Sequence, residues 1–418
     1  MTQLKDKTVL REFVFKTVRE TSIFDMHTHI YTPSFGNLLL WGVNELLTYH
    51  YLVAEFFRYS DLTIAEFNSM NKNDQAALIW KTLFIDHSPV SESNRGVLTT
   101  LQRLGLDVRG RDLGALQAYF RDVGVEEHLD KVFELANVEA VVMTNDPFDE
   151  SERPVWLEGK GAAVDPRFKT ALRIDPLLMD WERSAARLAG WGYKTSVRLD
   201  ETTLREIRRF LEDWIAVMKP LYLAVSLPPS FRYPEESERG RIIEKCIVPV
   251  TREAGIPFAM MIGVNKLVNP VLGLAGDGVG KGDVSSVEAL AREFPENKFL
   301  VTFLSRENQH EVCITARKFS NVMLFGCWWF MNNPSIIREI TAERLELLGT
   351  SFVPQHSDAR VLDQLIYKWT HSREIVFELL CEKYEDIMKT GWLLTEEEVA
   401  RDVKNLFSGN IKRFLKIV

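Results

Sequence analysis

Eight short apolar runs recur along the chain: SIFDMHTHI (22–30), AVVMT (140–144), TALRI (170–174), YLAVSL (222–227), FAMMIG (258–263), FLVTFL (299–304), VMLFG (322–326) and SFVPQHS (351–357). Most are separated by stretches whose apolar positions recur at helical spacing. Nearly continuous apolar runs of strand length, alternating with amphipathic helices, predict parallel strands buried on both faces. Eight such units predict an α/β fold, a closed (β/α)8 TIM-like barrel with helices outside and chemistry at the carboxyl ends of the strands. Two intervals carry their own boundary signals. PEESERGRIIEKCIVPVTREAG reads as a helix up to Gly255, and NPSIIREITAERLELLG opens on Asn-Pro and ends on Gly349, a glycine stop in each case.

The first interval is anomalous. Residues 31 to about 138 separate the first run from the second, with helical signals (NELLTYHYLVAEFFRY, LTIAEFNSM, DQAALIWKTLF, DLGALQAYFRDVG) and little strand character. A mostly helical insertion after strand 1, close to the active-site face, is expected within a single catalytic domain over 1–418. Helices around LDQLIYKWTHSREIVFELLCEKYEDIMK and TEEEVARDVKNLFSGNIKRFL follow the eighth run. No repeat, low-complexity tract or flexible linker interrupts the pattern.

The sharpest local chemistry is Asp25-Met26-His27-Thr28-His29. Residues two apart on a strand face the same side, so His27 and His29 are expected to project together at the end of the first strand. Imidazole pairs of this kind suit zinc and other first-row divalent metals. An isolated His-x-His also suits two histidines bonded to backbone in a turn; the barrel position favours metal. PQHSDAR (354–360) supplies a matching element, because the last strand of a closed barrel lies beside the first. Asp358 completes a His-His-Asp set and is placed for proton transfer, while Ser357 or Asp358 also suits the start of a helix. His356 reads as a core residue outside the site.

Composition narrows the classes. Hydrophobic residues are 46% and charged residues 26% of 418, and the net charge is −8 with no Lys/Arg block. That argues against a dedicated nucleic-acid or anionic-membrane binder. The N-terminus offers no apolar targeting run, and no segment approaches a membrane span. Four scattered cysteines (Cys246, Cys313, Cys327, Cys381) without CxxC spacing point to a reducing cytoplasm rather than a disulfide scaffold.

DMHTHI, LLTYHYLVAE, VVMTNDPFD, LSRENQHE, FGCWWFMNNP and GTSFVPQHSDAR resemble uronate (glucuronate) isomerases of the metal-dependent amidohydrolase superfamily, in the compact zinc-binding bacterial branch. The resemblance runs through almost the whole chain, insertion included. It implies interconversion of aldohexuronates and ketohexuronates, one divalent metal (zinc), homo-oligomers, and His50 and Tyr51 reaching into the site from the insertion. Taken alone, the aromatics of LLTYHYLVAEFF fit a helix core equally well. The chain departs from the hydrolytic members of the superfamily. Its eight histidines stand at 27, 29, 50, 87, 128, 310, 356 and 371, so none lies between 128 and 310, and the runs at 222–227, 258–263 and 299–304 hold no lysine. A two-metal hydrolytic centre therefore lacks its ligands, and one three-ligand ion remains. A mononuclear hydrolase of a small anionic substrate, of lactonase or deaminase type, is the second reading, and a non-catalytic sugar-acid binder the third.

Moving a carbonyl from C1 to C2 requires a base, an acid, cover for an enediolate and a grip on the carboxylate. Asp358, Tyr51, His50 and Arg360 are the candidate catalytic groups. Arginine forks match carboxylates, and Arg173, Arg306 and Arg360 all stand at or just past strand ends. Which of them binds carboxylate stays open. Trp328 and Trp329, after the seventh run, suit stacking on a sugar face or packing between barrel and insertion. Asn145 and Asp146 are weaker candidates, since Asn-Asp-Pro is also an ordinary turn.

Overall fold

The computed structural model describes residues 3–161 and 165–417. Seven parallel strands pair in the order β1-β2-β3-β4-β5-β8-β9: β1 (Ile23–Thr28), β2 (Val138–Asn145), β3 (Phe168–Arg173), β4 (Leu223–Leu227), β5 (Phe258–Ile262), β8 (Phe299–Phe303) and β9 (Val322–Leu324). Two short strands, β6 (Val264–Asn265) and β7 (Gly278–Val279), form a separate antiparallel pair beyond β5. The expected strand runs coincide with these seven to within a few residues.

Alternation within the strands separates two cores, as strand geometry requires. Phe24, Met26, Ala140, Val142, Ala171, Ala224, Ala259, Met261 and Leu300 fill the barrel interior. Their neighbours Val141, Leu172, Leu223, Val225, Phe258, Met260, Phe299 and Val301 face the surrounding helices. The terminal helix Asn410–Leu415 lends Ile411, Phe414 and Leu415 to the inner cluster.

The eighth stave differs from expectation. SFVPQHS makes one isolated bridge, Phe325 with Val353, and is otherwise extended without a ladder. Pro354 has no N–H to donate, and the next N–H groups turn to side chains: His356 to Gln355 Oε1 and Ser357 to Asp25 Oδ1. Closure is still achieved. Val353 bonds β9 through Leu324 O, and on the other edge Asp358 N donates to His27 O at 3.1 Å and His29 N to Ala359 O at 2.7 Å.

The expected helices are present with their caps. Asn333 caps Pro334–Leu348, which ends on Gly349 at φ 61°. Gly255, at φ 69°, ends Val248–Ala254. Upstream, the ladder relaxes into a π-turn over Ile243–Ile247, next to Pro249, which cannot donate within a helix. Between β1 and β2 lie Val43–Leu47, His50–Phe56, Ile64–Ser69, Lys72–Trp80, Glu92–Arg103 and Leu113–Asp122. They gather their own apolar cluster, including Leu46, Leu52, Phe56, Ile79, Trp80 and Leu101. The last helix of this interval, Val125–Ala136, instead packs Leu129, Val132 and Phe133 into the barrel's outer core. A buried contact, His128 Nε2 to Asp363 Oδ1 at 2.7 Å, joins it to the segment after the eighth stave. Among the described residues no helix is long and apolar enough to cross a membrane.

Candidate metal centre and active-site cavity

His27 and His29 reach one point through a bulge rather than by plain alternation. The β1–β2 register runs Asp25↔Val141 and then Thr28↔Met143, so β1 carries one extra residue between Asp25 and Thr28, the stretch that holds His27. Such bulges re-aim side chains at barrel rims. His27 thereby packs its ring against Phe325 and His356, and His29 lies just past the strand end. Asp358, from the closing segment, brings Oδ1 to 3.7 Å from His27 Nε2 and 3.4 Å from His29 Nε2. The three ligand atoms all lie within 4.8 Å of one another. Asp358 holds φ at 50°, a left-handed conformation that Asp tolerates better than most residues.

The hydrogen-bond network fixes both imidazole tautomers in the same sense. Tyr222 Oη donates to Met26 O at 2.5 Å, so toward His27 Nδ1, 3.2 Å away, it acts as acceptor. Thr144 Oγ1 donates to Thr28 O at 2.9 Å and likewise accepts from His29 Nδ1 at 2.9 Å. Each ring therefore carries its proton on Nδ1 and aims a bare Nε2 at Asp358. Burial holds both imidazoles neutral, His27 down to about 3 and His29 well below its usual value. Neither His27 Nε2 nor Asp358 Oδ1 has a hydrogen-bond partner. Two proton-free nitrogens, one buried (His27) and one half-buried (His29), and an unpaired carboxylate oxygen facing them fit a bound cation, with Tyr222 and Thr144 as the groups that orient the ligands. Tyr222→Phe removes one orienting acceptor, and we expect metal affinity to fall about 10- to 100-fold. Chelator competition measures this; unchanged affinity would mean that packing alone holds the ring.

These residues form the floor of a cavity of about 240 Å³ lined by His27, His29, Tyr49, His50, Arg173, Ser226, Met261, Lys266, Trp328, Trp329, Asp358 and Arg360, among others. Most of the expected site residues are thus brought together. Arg173, ending β3, donates to both oxygens of Asp175, at 2.8 and 3.2 Å. Burial opposes its charge, but Asp175 and Asp146 more than offset this and hold it protonated. His50 opens the helix His50–Phe56 of the insertion. Burial, reinforced by Arg360, lowers its pKa to about 3, and its Nε2 is unpartnered. Tyr51 does not line the cavity: it packs behind the lining residues His50 and Tyr49, with ring centroids 4.7 and 4.9 Å away, and burial keeps its phenol protonated. Trp329 carries an unpartnered indole Nε1.

Arg306 is not brought to the cavity. It starts a short 3-10 turn, points into solvent and pairs with Glu339 at 2.8 Å, a surface ion pair of small energetic weight. Asn145 and Asp146 also stand aside: Asn145 Nδ2 and Asp146 N both donate to the buried Glu152. His356 is fully buried beside His27, and neither ring nitrogen has a hydrogen-bond partner.

Sequence reading misses Lys266 and Tyr49. Lys266 stands on the β6–β7 excursion, pairs with Asp277 at 2.7 Å and lies 5.6 Å from the Trp329 ring centre. Its one signal was position, a few residues past the fifth apolar run. Tyr49 gave none beyond its neighbours His50 and Tyr51.

No protein-family model and no curated protein matches the chain. Among solved structures it is similar to a uronate isomerase from Bacillus halodurans C-125, with 58% sequence identity, a TM-score of 0.97, and 99% of this chain and 97% of that chain covered. It also shares its fold with a uronate isomerase from Thermotoga maritima (15% identity, TM-score 0.76, 99% and 98% covered) and a glucuronate isomerase from Caulobacter crescentus (14%, 0.77, 99% and 96%). With more than half of its residues shared with the first over nearly the full length of both, the chain belongs to the uronate isomerase family.

Proposed function

We propose that this protein is a uronate isomerase, an intramolecular oxidoreductase acting on a small sugar acid. It interconverts D-glucuronate with D-fructuronate and D-galacturonate with D-tagaturonate through a cis-enediol, within one catalytic unit spanning 1–418. The observation that carries the reading is the single His27–His29–Asp358 group on the floor of a cavity walled by Arg173, Arg360 and Lys266. Among the described residues it is the one cluster with metal-ligand geometry, which favours one ion over a two-metal hydrolytic centre. The nitrogen-rich donor set suits zinc, which when bound supplies Lewis-acid polarisation of substrate oxygens.

The remaining tasks fall to this chain's own groups. The C2 proton must leave and a proton must return at C1. The Asp358 carboxylate, the neutral His50 imidazole and the protonated Tyr51 phenol share those transfers. Arg360 and Arg173 offset the negative charge of enediolate and carboxylate, and Trp328 and Trp329 cover the sugar. Lys266 adds a third cation at the wall. Lys266→Met is expected to raise KM for uronate roughly tenfold, the loss of one charge-assisted contact, while kcat changes little; steady-state kinetics separate the two. The protein is further proposed to be cytoplasmic, on the strength of its four free, buried cysteines, and to form homo-oligomers, which light scattering tests.

A coupled assay with D-glucuronate and D-galacturonate decides the main reading. Turnover that chelation removes and Zn2+ restores supports it. No turnover of either sugar by metal-replete protein overturns it, and two tightly bound ions per chain would turn the reading toward hydrolysis.

A further inference from the structure

The peptide joining Ser357 to Asp358 is held at both ends. Its N–H donates to His27 O at 3.1 Å. Its carbonyl accepts from Lys368 Nζ and from Asn332 Nδ2, the latter at 3.3 Å. Ser357 N is tied to Asp25 Oδ1 at 3.1 Å, and the other oxygen of Asp25 accepts from Trp369 Nε1 at 2.9 Å. Lys368 and Trp369 are consecutive residues of the helix Gln364–Lys389, so one turn of that helix grips the segment carrying the third ligand.

Lys368 is an unusual group to bury. Its side chain is 2% exposed, and among the described residues no carboxylate makes an ion pair with it. Buried lysines are rare without such a partner. Burial lowers the pKa of the ammonium, while the nearby charges of Asp358, Asp25 and Glu92 oppose that shift. Nζ donates to the main-chain carbonyl of Ser357, the residue before Asp358, and the Asp358 backbone is left-handed. A cation bonded there holds the carbonyl orientation on which that conformation depends, and it adds positive charge behind the Asp358 carboxylate.

We propose that Lys368 is a positioning residue of the metal centre: through the Ser357 carbonyl it fixes the Asp358 backbone so that the carboxylate meets His27 and His29, and Asn332 is its weaker second grip. This rests on the assignment of those three residues as ligands. The test uses the full-length protein without substrate, titrated with Zn2+ against a chelator and with Co2+ followed by its visible absorption. Lys368→Met is expected to bind Zn2+ at least about tenfold more weakly and to shift the Co2+ bands, as loss of an outer-shell partner does; Asn332→Ala should show a smaller change in the same direction. A folded Lys368→Met with unaltered Zn2+ affinity and Co2+ spectrum overturns the proposal. Should that variant not fold, unaltered binding and spectrum in Asn332→Ala overturn it instead. A wild-type protein that takes up no Zn2+ or Co2+ overturns the ligand assignment itself, whereas one that binds metal but isomerises no uronate leaves the Lys368 result intact.

Discussion

Asp358→Asn is expected to lower kcat/KM by a factor on the order of 10³ or more, because it removes at once a metal ligand's charge and a group able to take up a proton. The fold should survive. Asparagine has the same size, and after glycine it shares with aspartate the best tolerance of the left-handed backbone found at this position, φ 50°. The main-chain bond from residue 358 to His27 O is indifferent to the substitution. Steady-state assay, metal analysis and thermal melting together check the prediction. Near-normal turnover with metal retained would remove Asp358 from both of its roles.

Gly326→Ala should be the most damaging small change to stability near the site. Gly326 sits at φ 62°, and a Cβ there would lie 1.8 Å from His356 Nδ1. The ring has nowhere to retreat, since His356 is fully buried with His27 and Phe325 each 5.2 Å away by ring centroid. The glycine carbonyl is also pinned, accepting from buried Arg344 at 2.8 Å. Overpacking and left-handed strain together predict a loss of about 2–5 kcal/mol in unfolding free energy, readable from denaturant midpoints. Displacement of His356 toward His27 should weaken metal binding too. A midpoint equal to that of the parent protein would show that the neighbouring β9 turn yields easily.

The barrel was legible because its strands are buried on both faces and so read as apolar runs, the helices between them as periodic stretches. The eighth run was apolar enough to suggest a strand, yet Pro354 and the side-chain bonds of Gln355 and Asp25 replace its ladder, a trade that hydrophobicity does not register. His27, His29 and Asp358 could be joined on paper because barrel closure makes first and last strands neighbours. The bulge that aims the histidines left no mark in the sequence. Position past a strand end served Arg173 and Arg360 but not Arg306, because the side chain of such a residue can turn inward or toward a helix, and Glu339 draws this one outward. Lys266 was hidden for a related reason: the β6–β7 excursion carries it back over the cavity, and no periodicity announces that return.

The closure of the barrel has a consequence for how the protein is made. Asp25 and Ser357, which meet in the finished site, are 332 positions apart, and contacts of such separation form late because the intervening chain must be ordered first. A nascent chain lacking its last staves holds two imidazoles without the carboxylate that faces them. Metal capture is therefore expected to follow completion of the barrel rather than seed it. Ion uptake during refolding then serves as a clock for the final step, and a chain cut short before Asp358 is left without its third ligand.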